Sequence, residues 1–219
     1  MRIACISDIH TRPVITPAVD VLIVSGDITK HSSDAELAWF KNWLAEQPAE
    51  FKIVIPGNHD KKFQTHPYWA AEYIKQLCAD GKTFFLVDSF VTINGITFWG
   101  SPWTPAFRES EGAYTLKSVK AARDLWQKIP AELDVLITHG PPYGILDQIK
   151  NGKHVGDAEL LQAVKRVKPR AHVFGHVHTG HGKVEIDGIL FVNGAVVNDE
   201  DWNYKVIHDP IVFDIEPIE

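Results

Sequence analysis

Apolar residues gather in short dense runs: "RIACIS" (2–7), "VDVLIVSG" (19–26), "FKIVIPG" (51–57), "DVLITHG" (134–140) and "AHVFGH" (171–176). Each is rich in β-branched or aromatic residues and stops at small or polar ones. That predicts strands buried on both faces, in a sheet covered by helices. Between the runs the apolar spacing becomes helical. "SSDAELAWFKNWLAEQ" (32–47) opens with a capping box, Ser33 answered by Glu36, and puts Leu37, Phe40, Trp43 and Leu44 on one stripe. "HPYWAAEYIKQLCADG" (66–81) starts with Pro67 in a first-turn position and ends at Gly81. "LKSVKAARDLWQKIP" (116–130) ends before Pro130, and "GDAELLQAVKRVKP" (156–169) has Asp157 as its cap. Alternating runs joined by Asn94-Gly95 and by Asp187-Gly188 predict two hairpins, and "IVFDIE" (211–216) alternates once more. Helix-linked strands followed by hairpins imply an α/β fold of two packed sheets with helices outside. With no internal repeat and no linker, residues 1–219 are expected to form a single domain.

Composition narrows the class. The chain is 45% hydrophobic and 23% charged, as in ordinary soluble enzymes. No apolar run approaches the roughly 20 residues that cross a bilayer, and "MRIACISD" enters a strand pattern with no room for a signal peptide. Cys5 and Cys78 lack metal or redox spacing and read as free core thiols, which fits a reducing, cytoplasmic location. A net charge of −6 argues against stable binding of nucleic-acid polymers. The basic run "KRVKPR" (165–170) falls at a helix C-terminus, where cations complement the dipole.

The polar residues cluster where the strands stop. Successive strands end in Asp8 and His10, in Asp27, in Asn58, His59 and Asp60, in His139, and in His176 and His178. That edge is where open α/β sheets bind ligands. Asp8 and His10 are two apart, as are His176 and His178, so in extended backbone each pair points to one side and can grip one centre, or two centres sharing a wall. Buried together without a cation, these acids and imidazoles would cost several kcal/mol, on the order of the price of unpaired buried charge. Divalent metal removes that difficulty, because both residue types are good ligands when deprotonated.

In order, "SDIH", "SGDIT", "GNHD", "THGPP" and "GHVH" resemble the five blocks of the calcineurin-like metallophosphoesterase superfamily, and they span nearly the whole chain. "SDIHTRP", "GSPWTPAF", "DVLITHGPPYGILD" and "VKPRAHVFGHVHTGHG" are similar to its metallophosphoesterase domain-containing branch, with a departure at Asp157, where that branch leads one to expect cysteine. The resemblance implies a four-layer α/β/β/α sandwich with two mixed sheets. It also implies two divalent ions, the first held by Asp8, His10, Asp27 and His178, the second by Asp27, Asn58, His139 and His176. Oxygen and imidazole ligands suit manganese, taken first here, and equally iron, zinc, cobalt or nickel.

Such a pair generates a nucleophilic hydroxide between the metals, so Asp27, holding both, and His59, protonating the leaving oxygen, are the expected catalytic residues. Asp60 is expected either to orient His59 or to form the turn. Substrate contacts are expected from Arg12, through forked hydrogen bonds to phosphate, and from Asn58 and His59. Trp103 in "SPWTPAF" is either an aromatic wall or a core residue. His154 and His181 are either cleft or surface residues. The branch implies a phosphodiesterase acting on a small phosphoester such as a cyclic nucleotide; a monomer or homodimer is expected. A phosphomonoesterase or nuclease is the neighbouring alternative, and a non-catalytic scaffold the distant one.

Overall fold

The computed structural model describes residues 1–106, 112–198 and 203–216. The first sheet consists of β1 (Arg2–Ile6), β2 (Val19–Ser25), β3 (Ala49–Ile55) and β4 (Thr83–Phe85), all parallel, with the late strand Ile211–Asp214 antiparallel to β1 at the edge. The second sheet begins with β5 (Ser89–Ile93) and β6 (Ile96–Ser101). After the short pair β7 (Thr104–Pro105) and β8 (Thr115–Leu116), it continues with β9 (Val135–Thr138), β10 (Ala171–Phe174), β11 (Gly182–Ile186) and β12 (Ile189–Asn193). Its order is β11-β12-β10-β9-β6-β5, parallel in the middle with an antiparallel hairpin at either edge. The two-residue strands β13 (Val197–Asn198) and β14 (Lys205–Val206) pair with each other before β15, the strand at 211–214.

Strand alternation explains why the apolar runs are unbroken. In β1, Ile3 and Cys5 point toward the second sheet, while Ala4 and Ile6 point toward helices. The buried layer between the sheets is built from Ile3, Ile23, Ile53, Ile55, Phe98, Ile137 and Val173 among others. Outside the first sheet lie α1 (Asp34–Ala45), the one-turn α2 (Lys61–Thr65) and α3 (Pro67–Leu77). Outside the second lie α4 (Val119–Trp126) and α5 (Ala158–Val167). The result is the expected α/β/β/α order of layers, with both sheets mixed.

Local signals act as their chemistry dictates. Ser33 and Glu36 form the reciprocal capping box. Asn94, Gly95, Asp187 and Gly188 all have positive φ, the type I′ geometry that an Asn-Gly or Asp-Gly hairpin needs. Asp157 caps α5 by accepting from the N–H groups of Glu159 and Leu160, and its other oxygen accepts the Trp126 indole N–H at 2.7 Å. The expected cysteine position is therefore a joint between α4 and α5. The basic run is also structural: Arg166 donates to the carbonyls of Trp126 and Ile129, and Lys168 ends the helix in the left-handed region. Helix α3 stops at Leu77 rather than Gly81, and α2 carries no apolar stripe that would predict it. Cys5 is buried, Cys78 half-buried, and both are free. Among the described residues no helix is long and apolar enough to cross a membrane.

Candidate metal centre

Strands β1, β2, β3, β9 and β10 deliver their polar ends to one rim, and the turns there are stitched together by main-chain bonds. Asp8 N donates to Gly26 O, His10 N to Asp27 O, and Gly175 N to His139 O. The Asp8 carboxylate accepts from His176 N at 2.8 Å. Backbones come so close that side chains would not fit between them. A Cβ on Gly57 would strike the Asp27 carboxylate, and one on Gly175 would strike Ser7 and the Asp8 carboxylate.

The side chains fall into two groups. Asp8, His10 and His178 form one; Asp27, His139 and His176 form the other. Within each group one ligand atom per residue lies within 4.8 Å of the rest. Asp27 stands between them: one oxygen is 3.4 Å from His139 Nε2 and the other 3.9 Å from His10 Nε2. Asn58 Oδ1 is 2.9 Å from His139 Nε2, on the side of the second group.

Tautomers follow from the carbonyls behind the rings. His10 Nδ1 donates to Thr29 O and His139 Nδ1 to Ser25 O, each at 3.0 Å, because a carbonyl can only accept. Both Nε2 atoms are thereby turned toward the carboxylates. His10 Nε2 is buried with no hydrogen-bond partner among the described residues. A buried lone pair facing carboxylates is unfavourable on its own and suits a shared divalent cation. The residues present therefore fit a pair of metal ions, Asp8, His10 and His178 on one side, Asn58, His139 and His176 on the other, with Asp27 common to both.

Ionisation of His10, His176, Asp8 and Asp27 agrees with this donor set, while His139 holds a proton that an ion would have to displace. Burial pushes His10 down to about 4 against the pull of Asp27 and Asp8, and burial together with His139 pushes His176 down to about 4. Burial also disfavours a charged His139, but the Asp27 carboxylate outweighs it and holds that imidazole up at about 9. Burial would raise Asp8 and Asp27 too. The hydrogen bond and charge of His178 at Asp8, and the charges of His139 and His59 at Asp27, keep both carboxyls below the usual range instead.

One inference from spacing fails. Asp8, His10 and His176 have positive φ, and His178 begins a 3₁₀ turn (His178–Gly180), so neither pair lies in extended backbone. Asp8 and His10 still meet, because a left-handed turn folds them together. His176 and His178 fall in different groups, the division that the resemblance implied.

The remaining residues divide. His59 is half-buried at the rim; its N–H donates to Asp27 at 2.8 Å and its Nδ1 to Lys30 O at 2.9 Å. Asp60 takes the turn-forming role, not the orienting one. It is buried and accepts from Gly57 N, Ile28 N, Thr29 N and the Thr29 hydroxyl. Arg12, expected toward phosphate, donates through Nε to the Tyr204 carbonyl at 3.1 Å and through one terminal nitrogen to the Asn203 carbonyl at 2.9 Å. Trp103 is pinned by its indole N–H to Asp88 and meets Tyr114 edge-on, while Phe107 lies outside the described residues. His154 donates through Nδ1 to buried Asp147, and His181 stacks on His208 with ring centroids 4.1 Å apart. Tyr204, which lies over His10, has no sequence signal: it sits in a polar stretch without periodicity.

With this geometry, comparison with known proteins is specific. The family model for calcineurin-like phosphoesterases matches residues 1–180. The human and mouse metallophosphoesterase domain-containing protein 1 are each 38% identical over 237 residues, covering 98% of this chain and 71% of theirs. One solved structure superposes with a TM-score of 0.70 at 18% identity, over 98% of this chain and 99% of that one. TT1561 of Thermus thermophilus superposes with 0.60 at 14% identity over 88% of each. The fold agrees at those low identities, and the residues gathered at the rim lie within the matched span. This chain belongs to the calcineurin-like phosphoesterase family.

Proposed function

We propose that this protein is a phosphodiesterase that uses two divalent ions, manganese foremost, to hydrolyse small phosphodiesters such as cyclic nucleotides. The observation that carries the reading is Asp27, a buried carboxylate set between two groups of ligands, with His10 facing one of its oxygens and His139 the other. When bound, the ions supply Lewis-acid polarisation of the phosphoryl group and a water acidified from about 15.7 toward 7. The chain's own residues do the rest. Thr29 and Ser25 carbonyls fix the His10 and His139 rings, and Asn58 offers its amide oxygen beside His139. His59 is anchored through Nδ1–H to Lys30 O, and as an imidazolium protonated on both nitrogens it would hand its Nε2 proton to the departing oxygen and return to the neutral Nδ1–H form.

The commitment of Arg12 to main-chain carbonyls supports a diester over a monoester. A terminal phosphate dianion is well served by a guanidinium fork, whereas the single charge of a diester demands less. We place the protein in the cytoplasm, as a monomer or homodimer formed of one domain across 1–219. The test is a panel after chelation and reloading with manganese: a synthetic aryl diester, its monoester and 3′,5′-cyclic nucleotides. The diester and at least one cyclic nucleotide should turn over faster than the monoester. Preference for the monoester would refute the diester assignment, and no turnover after reloading with manganese or, in parallel, with iron, zinc, cobalt or nickel would refute the enzyme.

A further inference from the structure

The ring of Tyr204 lies over His10 with centroids 3.9 Å apart and planes inclined by 26°, a stacked contact. It also meets His178 edge-on at 6.1 Å and His59 edge-on at 6.4 Å. Tyr204 thus covers two of the three residues of the first metal group and the proposed acid as well. It is almost completely buried, and the Lys30 ammonium lies 5.2 Å from its centroid.

That placement is held from behind. The backbone of Tyr204 has φ of 40°, in the left-handed region that a bulky residue enters only when its surroundings fix it there. The fixing group is Arg12. Its Nε donates to Tyr204 O, and one terminal nitrogen donates to Asn203 O at 2.9 Å, with the Asn203 side-chain oxygen at 3.4 Å. Arg12 stands two residues after His10, so one short turn supplies both the imidazole and the clamp for the ring stacked on it. Pairing of β14 with β13 anchors the next two residues, Lys205 and Val206.

We propose that Tyr204, clamped by Arg12, is the positioning residue of the first metal position. It fixes the plane of His10 so that Nε2 stays directed between Asp8 and Asp27, and it keeps water off that side of the ligand. A ligating imidazole has two degrees of freedom to control, its tautomer and its tilt. Thr29 O sets the first, and no described hydrogen bond to the ring other than that one sets the second. Stacking against a buried ring does so. The described ring contacts of Tyr204 fall on His10, His178 and His59, so the effect is expected at the first ion of the pair.

This inference rests on the two-metal reading, and the experiment separates the two. The full-length chain, stripped by chelation, is titrated with Mn²⁺ by calorimetry and with Co²⁺ by visible absorption, as wild type, Tyr204→Phe, Tyr204→Ala and Arg12→Ala. Wild type should take up two ions. Tyr204→Ala should weaken one of the two by about tenfold or more, the range found for residues that orient metal ligands, and alter the Co²⁺ bands of that site alone. Tyr204→Phe, which keeps the ring, should restore both affinity and spectrum, and Arg12→Ala should fall between. Unchanged affinities and bands in Tyr204→Ala would overturn the positioning role and leave the two-metal site intact. Equal weakening of both ions would overturn it too, since the ring would then serve the fold generally. Failure of wild type to bind any ion would overturn the metal reading and this inference together.

Discussion

Asp27 and Asp60 are buried carboxylates at neighbouring turns of the same rim, and they are partnered in opposite ways. Asp60 is saturated by its own chain, with three backbone N–H groups and a threonine hydroxyl aimed at its two oxygens. Asp27 receives one backbone N–H, from His59, and otherwise faces two imidazole nitrogens. A carboxylate whose lone pairs the main chain has filled is holding turns together. One left with a single main-chain donor among the described residues and ringed by histidines suits a partner that the polypeptide does not provide.

The largest separation between the two should appear on substitution. Asp27→Asn should lower diester turnover by more than about a hundredfold, beyond the outer-shell range, with loss of bound manganese. The metal-free form should lose stability near neutrality, because protonated His139 loses the carboxylate that holds it up, and that loss should fade as pH climbs through about 9. Asp60→Ala should instead act chiefly on the fold. It strands the buried N–H groups of Gly57, Ile28 and Thr29 and should cost about 3 kcal/mol or more in urea unfolding, at on the order of 1–3 kcal/mol for each unsatisfied group. Loss of stability in Asp27→Asn equal to that in Asp60→Ala would erase the distinction.

Protons provide a second, smaller test. In the metal-free chain His139 is held up at about 9 by Asp27, while His10 and His176 are pushed down to about 4, so near neutrality only His139 among these three carries a proton that an ion must displace. Manganese affinity at the second position should therefore rise about tenfold per pH unit between 6.5 and 9 and level off above that. For the metal-free fold the sign is opposite. A folded-state value raised above the ordinary 6.5 gives stability that is fully present below 6.5 and lost as pH climbs through about 9. Calorimetric titration in buffers of different ionisation enthalpy measures the released proton, and pH-dependent urea unfolding measures the stability. Affinity independent of pH across that window would contradict the assignment of Asp27 and His139 to one ion.

The smallest effect concerns a carboxylate outside the two ligand groups. Asp157→Ala removes the cap of α5 and the acceptor of the Trp126 indole, and should lower stability by about 1–2 kcal/mol. Diester turnover by the folded enzyme should be unchanged. A large loss of turnover at full stability would place Asp157 in the chemistry instead.

Much of this was readable from the chain. Unbroken apolar runs identified strands covered on both faces, and the two turn dipeptides located both hairpins, because these signals report local sterics and burial directly. The strand ends delivered the right residues to one rim because topology, not fine geometry, brings them there. What spacing alone could not reveal is backbone hand. Asp8, His10 and His176 adopt positive φ, so the two-residue spacing carried no meaning of alternation. The clamp of Arg12 on Tyr204 spans 192 positions and leaves no local pattern. Asp60 and Asp27 look alike as letters; only the count of main-chain donors around each tells them apart.

Anomalous diffraction from a manganese-loaded crystal would weigh the account as a whole. Two peaks are predicted at the rim. One should be contacted by Asp8, His10 and His178 and the other by Asn58, His139 and His176, with the Asp27 carboxylate touching both. A rim without peaks, or a single ion that leaves Asp27 untouched, would contradict it.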